Sequence, residues 1–329
     1  MRANESGFTL TEVLIASAIF LTASIPFFYL AAGAQRLARS QSEAVDLHQR
    51  ARVAADKLRQ DLTMAGAGPP QDQTMEALVN YLPPIVPLRS GIRSADPELS
   101  AYGDRLSILY VPGDGWQASL GTDMPSPSAG LQLQVLPGCP TVGVCGFTEG
   151  ADAMIVDVSG RGQGFEVFTV TGIAGELLHD WPNGSFSRAY ASATAAVVPV
   201  VQRVYYFDRS SRRLMLYDGF QSDVPLVDNL VDLRFSYYGD AVPGPGLQQL
   251  PLAAFTDGPF LGVSPHRFDA DLLRIRLVRA TLRLQAAADD ARARGAWFLR
   301  PGRSNSGYSY VPDFEITFDV APRNLLGTR

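Results

Sequence analysis

A single carboxylate lies near the start of an otherwise apolar stretch of the chain. Glu12 follows Gly7 and Phe8, and no side chain from Val13 to Ala34 carries a charge. An isolated carboxylate is costly to place in hydrocarbon, so an acidic residue inside a segment of membrane length is a functional-site hypothesis by default. The sequence therefore predicts a functional role for Glu12, and the alternative is a protonated, inert side chain.

The apolar stretch from Phe8 to Ala34 is long enough for a helix that crosses about 30 Å of hydrocarbon. The small residues at Ala32, Gly33 and Ala34 would suit the cleavage site of a secretory signal, but the run is too long for such a signal and contains Glu12. A plain membrane anchor accounts for the length of the stretch but not for Glu12.

Glycine, a hydrophobic residue, a short apolar run and then glutamate is similar to the N-terminal processing motif of type IV pilins and type II secretion pseudopilins. The resemblance implies that a prepilin peptidase cuts after Gly7 on the cytoplasmic face and methylates the new amine of Phe8 with S-adenosylmethionine. It also implies that Glu12 faces the cationic amine of a neighbouring subunit and so sets subunit registry. In a low-dielectric medium each charge is expensive alone and the pair is cheaper.

Beyond the apolar stretch, an amphipathic pattern predicts that the helix continues to about Met64 and ends at Gly66, a total length of roughly 85 Å. Pro26 is expected to kink it. Charged residues, Asp61 among them, fill the positions outside the apolar stripe. The stripe has steps of three, four and seven residues and consists of Leu37, Ala44, Leu47, Ala51, Ala54 and Leu58.

Strand patterns dominate the rest of the chain, and the predicted fold class is α+β, a long helix on antiparallel sheet with an enlarged β-rich domain. The clearest candidates lie at 106–110, 131–135, 153–158, 165–171, 200–208, 213–218, 231–238, 272–285 and 314–320. The predicted divisions are a leader peptide at 1–7, a membrane and assembly half-helix at 8–34, an amphipathic half-helix at 35–66 and a globular domain at 67–329.

Later segments resemble PilW-like minor pilins in order and spacing. The helix end from Ala51 to Gly66 is similar to both PilW-like proteins and J-type pseudopilins. The matching stretches continue at 204–208, 214–219, 225–239, 273–280 and 319–325. This resemblance implies a minor pilin that is anchored in the inner membrane by one span, with its globular domain in the periplasm or on the cell surface. A J-type pseudopilin of a type II secretion system is the alternative.

Cys139 and Cys145 are close together among turn-forming residues, in the sequence PGCPTVGVCG. In an oxidising compartment the two thiols are expected to pair, and the alternative is two unrelated thiols. Two cysteines without a nearby histidine offer too few ligands for a metal site.

The sequence carries no enzyme signature. The glycines from Gly160 to Gly164 lack phosphate-loop spacing and predict a turn between strands. His48, His179 and His266 have no metal-ligand spacing, and Asp269 with Asp271 falls short of the six or more oxygens that calcium needs. No cofactor is expected.

We interpret the net charge of −5 as spread along the chain with no basic block, so there is no electrostatic sign of nucleic-acid binding and no nucleotide site. Expected partners are the prepilin peptidase, major and minor pilins, the inner-membrane assembly platform and membrane lipid. A second hypothesis is a binding module displayed on a pilin helix. Its candidates are the aromatic residues Trp116, Trp181 and Tyr190 in loop contexts, for which partial burial in the core is the alternative explanation.

Overall fold

The computed structural model describes residues 9–68, 78–89, 96–113, 115–135, 138–160, 163–180, 185–218, 222–240, 246–262, 264, 267–292 and 310–325. These residues form one α-helix, α1, over Leu10–Met64, and short 3₁₀ turns at Leu78–Asn80, Leu252–Phe255, Ala270–Arg274, Asp289–Ala291 and Arg323–Leu325. The strands in chain order are β1 Ile85–Val86, β2 Arg105–Tyr110, β3 Ala118–Ser119, β4 Asp152–Asp157, β5 Phe165–Ile173, β6 Leu177–Asp180, β7 Ala195–Pro199, β8 Val201–Asp208, β9 Arg213–Tyr217, β10 Asp223–Asp228, β11 Leu230–Asp240, β12 Leu247–Leu250, β13 Phe260–Leu261, β14 Phe268–Asp269, β15 Ile275–Leu284 and β16 Phe314–Val320.

The chain divides into two compact units, residues 1–49 with 285–314 and residues 50–284 with 315–329. In the first unit, the Glu43 carboxylate accepts hydrogen bonds from the backbone N–H groups of Ala287 and Ala288. The exposed ring of His48 meets the edge of the Phe314 ring, with 4.2 Å between centroids.

Helix α1 has the predicted extent to within two residues at its start. It passes through Pro26 and ends where Gly66 takes a φ of +73°, a left-handed conformation that glycine adopts without a side-chain clash. The backbone N–H of Gly66 donates to the carbonyl of Leu109 in β2 rather than to a carbonyl of the helix. The chain thus turns directly from the helix onto the sheet.

The predicted apolar stripe of α1 is buried only in part. Its members Leu47, Ala51, Ala54 and Leu58 are buried, whereas Leu37 is 55% exposed, so the stripe does not pack along its whole length. Periodicity places apolar residues on one face of a helix. Periodicity does not indicate which part of the helix is covered by the rest of the protein.

Asp61 lies outside the predicted apolar stripe, yet it is only 1% exposed. The hydroxyl of Tyr205 donates to Asp61 Oδ2 over 2.5 Å, and Lys57 Nζ lies 3.1 Å from Asp61 Oδ1. A buried carboxylate requires such partners. Tyr205 is 144 residues away along the chain, so helix spacing could not reveal it.

Two antiparallel sheets form the base of the second unit. One has the strand order β1-β2-β8-β9-β10 and the other β12-β11-β15-β16. In the second sheet, alternate residues of β11 and β15 are buried, which gives the expected period of two. On its solvent side Arg279 makes a two-pronged ion pair with Asp319, at 2.7 and 2.8 Å. Together with α1 these sheets confirm the α+β class.

The third sheet, of order β3-β7-β4-β5-β6, closes into a small barrel. The segment 131–134 bridges its two edges: Leu131 pairs with Leu177 beside β6, and Leu133 pairs with Leu120 beside β3. The N–H of Gln134 also donates to the Ser119 carbonyl over 2.8 Å. Closure removes the sheet edges that would otherwise be open to other strands.

This barrel is an insertion into the base. Its chain leaves after β2 and returns at β8, and these two strands are hydrogen-bonded neighbours in which Tyr110 lies opposite Val201. The barrel has its own hydrophobic core, whose members all lie between residues 116 and 197. We call residues 112–199 the inserted barrel.

Two strand predictions were inaccurate in detail. The segment 131–135 forms isolated bridges rather than a strand, and Val135 is 71% exposed. The predicted strand at 272–285 begins at Ile275, because 270–274 form a 3₁₀ turn. The pairing of β15 with β11 shifts register between Ile275 and Leu277. Strands β8 and β9 form an antiparallel hairpin.

Candidate processing and assembly site

Glu12 lies in a capping box with Thr9 at the start of α1. The Thr9 N–H donates to Glu12 Oε2 over 2.9 Å, and the Thr9 hydroxyl donates to the same oxygen over 2.8 Å. The Glu12 N–H approaches the Thr9 hydroxyl oxygen at 3.3 Å. Reciprocal bonds of this kind satisfy backbone donors that the first turn of a helix leaves without partners. Gly7 and Phe8 lie outside the described residues.

This geometry gives Glu12 partners within its own chain. The carboxylate also lies at the positive end of the helix dipole, which favours a negative charge. Both effects lower the cost of a charge in an apolar segment. The motif Thr-x-x-Glu can be read directly from the sequence, but our sequence analysis considered only the charge of Glu12 and missed Thr9.

Several hydroxyl groups of the apolar segment bond to the helix itself. The Ser17 hydroxyl donates to the Val13 carbonyl over 2.7 Å, and that of Ser24 donates to the Phe20 carbonyl over 2.7 Å. Because these hydroxyl groups donate to backbone carbonyls of the same helix, they would not be left without a hydrogen-bond acceptor in lipid. In the sequence between residues 9 and 34, Glu12 is the one residue with a charged side chain.

Helix α1 is also the one helix among the described residues whose length and composition would allow it to cross a membrane. Its most apolar window of 18 residues has a mean hydropathy of 2.1, and none of that window is buried in the structure. Large side chains such as Phe20, Phe27 and Leu30 are exposed there. So much apolar surface requires lipid or partner helices to cover it.

The predicted pairing of Cys139 with Cys145 is confirmed, since the two sulfurs are bonded in the structure. The disulfide closes a loop that packs on one end of the inserted barrel, where Cys145 is buried. Gly143 within the loop has a φ of +62°, and a β-carbon there would collide with the carbonyl oxygen of Phe147. The tight loop therefore needs glycine at this position.

Three carboxylates come together near β14. Oxygens of Asp257, Asp269 and Asp271 all lie within 4.8 Å of one another, so Asp257 joins the pair considered from the sequence. Asp269 already accepts hydrogen bonds from the N–H groups of Gly258 and Asp271, and Asp271 pairs with Arg274 at 2.9 Å. These bonds account for the cluster as a loop-stabilising arrangement.

The loop aromatics do not form a binding site in the described part of the chain. Tyr190 is only 3% exposed, and its hydroxyl donates to Glu166 Oε1 over 3.2 Å within the barrel core. Burial raises the pKa of both groups. Trp116 packs partly buried against the same core, and Trp181 lies outside the described residues.

The other residues considered for chemistry have structural roles where the structure describes them. His179 Nε2 lies 3.0 Å from the Ala129 carbonyl oxygen, and its ring stacks at 4.1 Å on Phe186. Gly164 has a φ of +126° in the connection between the antiparallel strands β4 and β5, as expected of a glycine turn between strands. His266 lies outside the described residues.

Comparison with known proteins bears on the same N-terminal segment. Residues 2–27 match the family model described as the prokaryotic N-terminal methylation motif. No curated protein and no solved structure matches the chain. The matched segment contains Thr9, Glu12 and the start of the exposed apolar helix. The chain therefore carries a prepilin-type N-terminal motif, which supports a type IV pilin-like protein.

Proposed function

We propose that this chain is a structural subunit of a type IV pilus-like filament, a minor pilin of the PilW type. The observation that carries the proposal is the methylation motif over residues 2–27, with Glu12 at the start of an exposed apolar helix. A prepilin peptidase cuts after Gly7, and the amine of Phe8 is methylated. The subunit is a structural component, and no step of this function requires a cofactor or an enzymatic group of its own.

Before assembly, the chain sits in the inner membrane by α1, with its globular part in the periplasm. The capping box holds the Glu12 carboxylate near the membrane face, where it is available to a cationic partner. On assembly, the methylated amine of a neighbouring subunit approaches Glu12. The ion pair forms in a low-dielectric medium, so a subunit out of register leaves two uncompensated charges and is disfavoured.

Other pilins and the inner-membrane assembly platform are the remaining partners. The exposed apolar side chains of α1 pass from lipid into contact with neighbouring helices. The energy for extraction from the membrane comes from an external motor.

The test is carried out on the full chain in cells that assemble the filament. Mass spectrometry of the mature protein is expected to find methylated Phe8 at its N-terminus. Glu12→Ala and Glu12→Gln are expected to leave cleavage intact and to abolish recovery of the subunit in sheared filaments. Ser17→Ala is the matched control, because its hydroxyl bonds only within α1 in the described structure.

Two results would contradict the proposal. One is a mature chain that begins at a residue other than Phe8. The other is normal incorporation of both Glu12 variants, which would show that the carboxylate has no part in registry.

A further inference from the structure

The charge of the chain is concentrated in the inserted barrel. Residues 112–199 contain eight aspartates and glutamates against two arginines, a net charge of −6, whereas the remaining residues carry +1. From Leu106 to Gly160 there is no lysine, arginine or histidine at all. The expectation of evenly spread charge was therefore wrong, because a total over the chain conceals its distribution.

One end of the barrel combines two of these eight carboxylates, Glu149 and Glu176, with exposed apolar groups and contains no cation. We call residues 128–135, 138–149 and 173–178 the disulfide end. Its parts are in contact: Gly143 in the disulfide loop lies against the Ile173 side chain, and the Glu176 carboxylate lies against Gly130. Leu131 pairs with Leu177 between them.

Apolar exposure beyond α1 is also concentrated here. Of the five large hydrophobic side chains that are exposed in the described residues after α1, three belong to the disulfide end: Val135, Val142 and Leu178. Val142 lies in the middle of the loop that the disulfide closes. At the ends of this loop, Cys145 is buried in the barrel core and Cys139 packs against that core. Because the disulfide restricts this loop before a partner binds, less conformational entropy is lost on binding.

We propose that the disulfide end is a docking surface for a cationic polypeptide segment that also carries apolar side chains. Glu149 and Glu176 supply negative charge, Val135 and Val142 supply apolar contact, and the sequence of the disulfide end contains no cation that would repel a basic partner. Like-charge repulsion disfavours nucleic acid and anionic lipid at the same surface.

This inference goes beyond filament assembly and does not rest on it. The inserted barrel has its own core and meets the base at adjacent strands, so partner binding and filament contacts occupy different parts of the chain. Binding is measured on the unassembled chain, which separates failure of this inference from failure of the proposed function.

The test uses the full chain in neutral detergent micelles and a fluorescent peptide of alternating arginine and leucine. Fluorescence anisotropy is expected to show binding that weakens as salt is added, because screening reduces the attraction between charges. Peptides of alternating arginine and serine, and of glutamate and leucine, are expected to bind more weakly. Fluorescently labelled double-stranded DNA, offered in place of the peptide, is expected not to bind.

Variants locate the surface. The double variant Glu149→Gln with Glu176→Gln is expected to weaken binding about tenfold, and addition of Val142→Ser to weaken it further. The matched control is Glu315→Gln with Asp319→Asn on the base sheet, which removes the same charge and should leave binding unchanged.

Deletion of the inserted barrel tests independently whether the peptide binds there. Replacing residues 112–199 by Asn-Gly, which favours a tight hairpin between neighbouring strands, is expected to abolish peptide binding while the chain still enters the membrane. Equal binding by the charge variant and its control would overturn the inference, as would binding of the labelled DNA by the chain. The chain could instead bind a second copy of itself at this surface. Self-association that weakens with salt and with the Glu149→Gln and Glu176→Gln changes would show this, and it would overturn the proposal of a cationic partner.

Discussion

Asp152 lies where the inserted barrel meets the base, and its environment predicts a measurable pH dependence of stability. It begins β4, its side chain accepts a hydrogen bond from the Thr169 hydroxyl over 3.1 Å, and its backbone carbonyl accepts from the N–H of Val200. Burial and, to a smaller extent, the negative charge of Asp218 raise the pKa of Asp152 from 3.8 to about 6, although Thr169 and Arg203 act in the opposite direction.

The sign follows from linkage. A carboxyl group whose pKa is higher in the folded state binds its proton more tightly there, so folding gains stability as the pH falls through 6 towards 4. That contribution is lost again as the pH rises through 6. At pH 7 the folded protein therefore holds a charged carboxylate in an unfavourable setting.

The substitution Asp152→Asn imitates the protonated acid, since the asparagine side chain retains an oxygen for the Thr169 hydroxyl. The full pKa difference corresponds to about 3 kcal/mol at 1.36 kcal/mol per pH unit. Because Asp152 is only about half-buried, screening by water reduces the expected gain from this substitution to about 1–2 kcal/mol at pH 7. A gain of 1 kcal/mol raises Tm by roughly 2–4 °C in a domain of this size.

The assay is thermal unfolding of the full chain in neutral detergent, followed by near-ultraviolet circular dichroism at pH 4 and pH 7.5. Asp208→Asn is the control of opposite sign, because hydroxyl and backbone donors from Ser210 and Ser211 lower the pKa of Asp208 to about 2. That variant should lose stability at pH 7.5. A lower Tm for Asp152→Asn at pH 7.5, or the same increase at both pH values, would refute the reasoning.

Two further predictions concern the buried contacts described above. Tyr205→Phe removes the donor to buried Asp61 and is expected to lower the free energy of unfolding by about 1.5–3 kcal/mol in denaturant titrations; Tyr237→Phe, which loses only a 3.4 Å bond, should cost less, and equal losses would contradict the assignment. Cys139→Ser with Cys145→Ser opens a short loop and is expected to cost about 2 kcal/mol in the same titration, while chemical reduction of the unaltered chain should give a similar loss. An unaltered chain that is equally stable with and without reductant would count against that prediction.

Local patterns in the sequence predicted the long helix, most of the strands and the disulfide, because each depends on residues close together in the chain. Helix α1 follows from its apolar periodicity and its glycine end, and the pairing of Cys139 with Cys145 follows from short separation among turn formers. The capping box of Thr9 and Glu12 is equally local, and its signal is the Thr-x-x-Glu spacing rather than the charge of Glu12.

Contacts between distant residues could not be predicted in this way. The burial of Asp61 depends on Tyr205, and the closure of the inserted barrel depends on bridges that join residues 131–134 to β3 and β6. Alternation of residue types predicts that a segment is extended, but it does not say which neighbours that segment has. For the same reason the sequence left open whether the loop residue Tyr190 is exposed or packed in the core, and the structure shows it buried.

The neighbouring positions of β2 and β8 have a practical consequence. Tyr110 lies opposite Val201, so β2 and β8 are paired at the point where the inserted barrel begins and ends. A fluorescent protein or a foreign epitope joined between Val111 and Val200 would replace the native insertion without breaking a ladder bond of the base. This junction is thus a natural place to attach cargo to the chain.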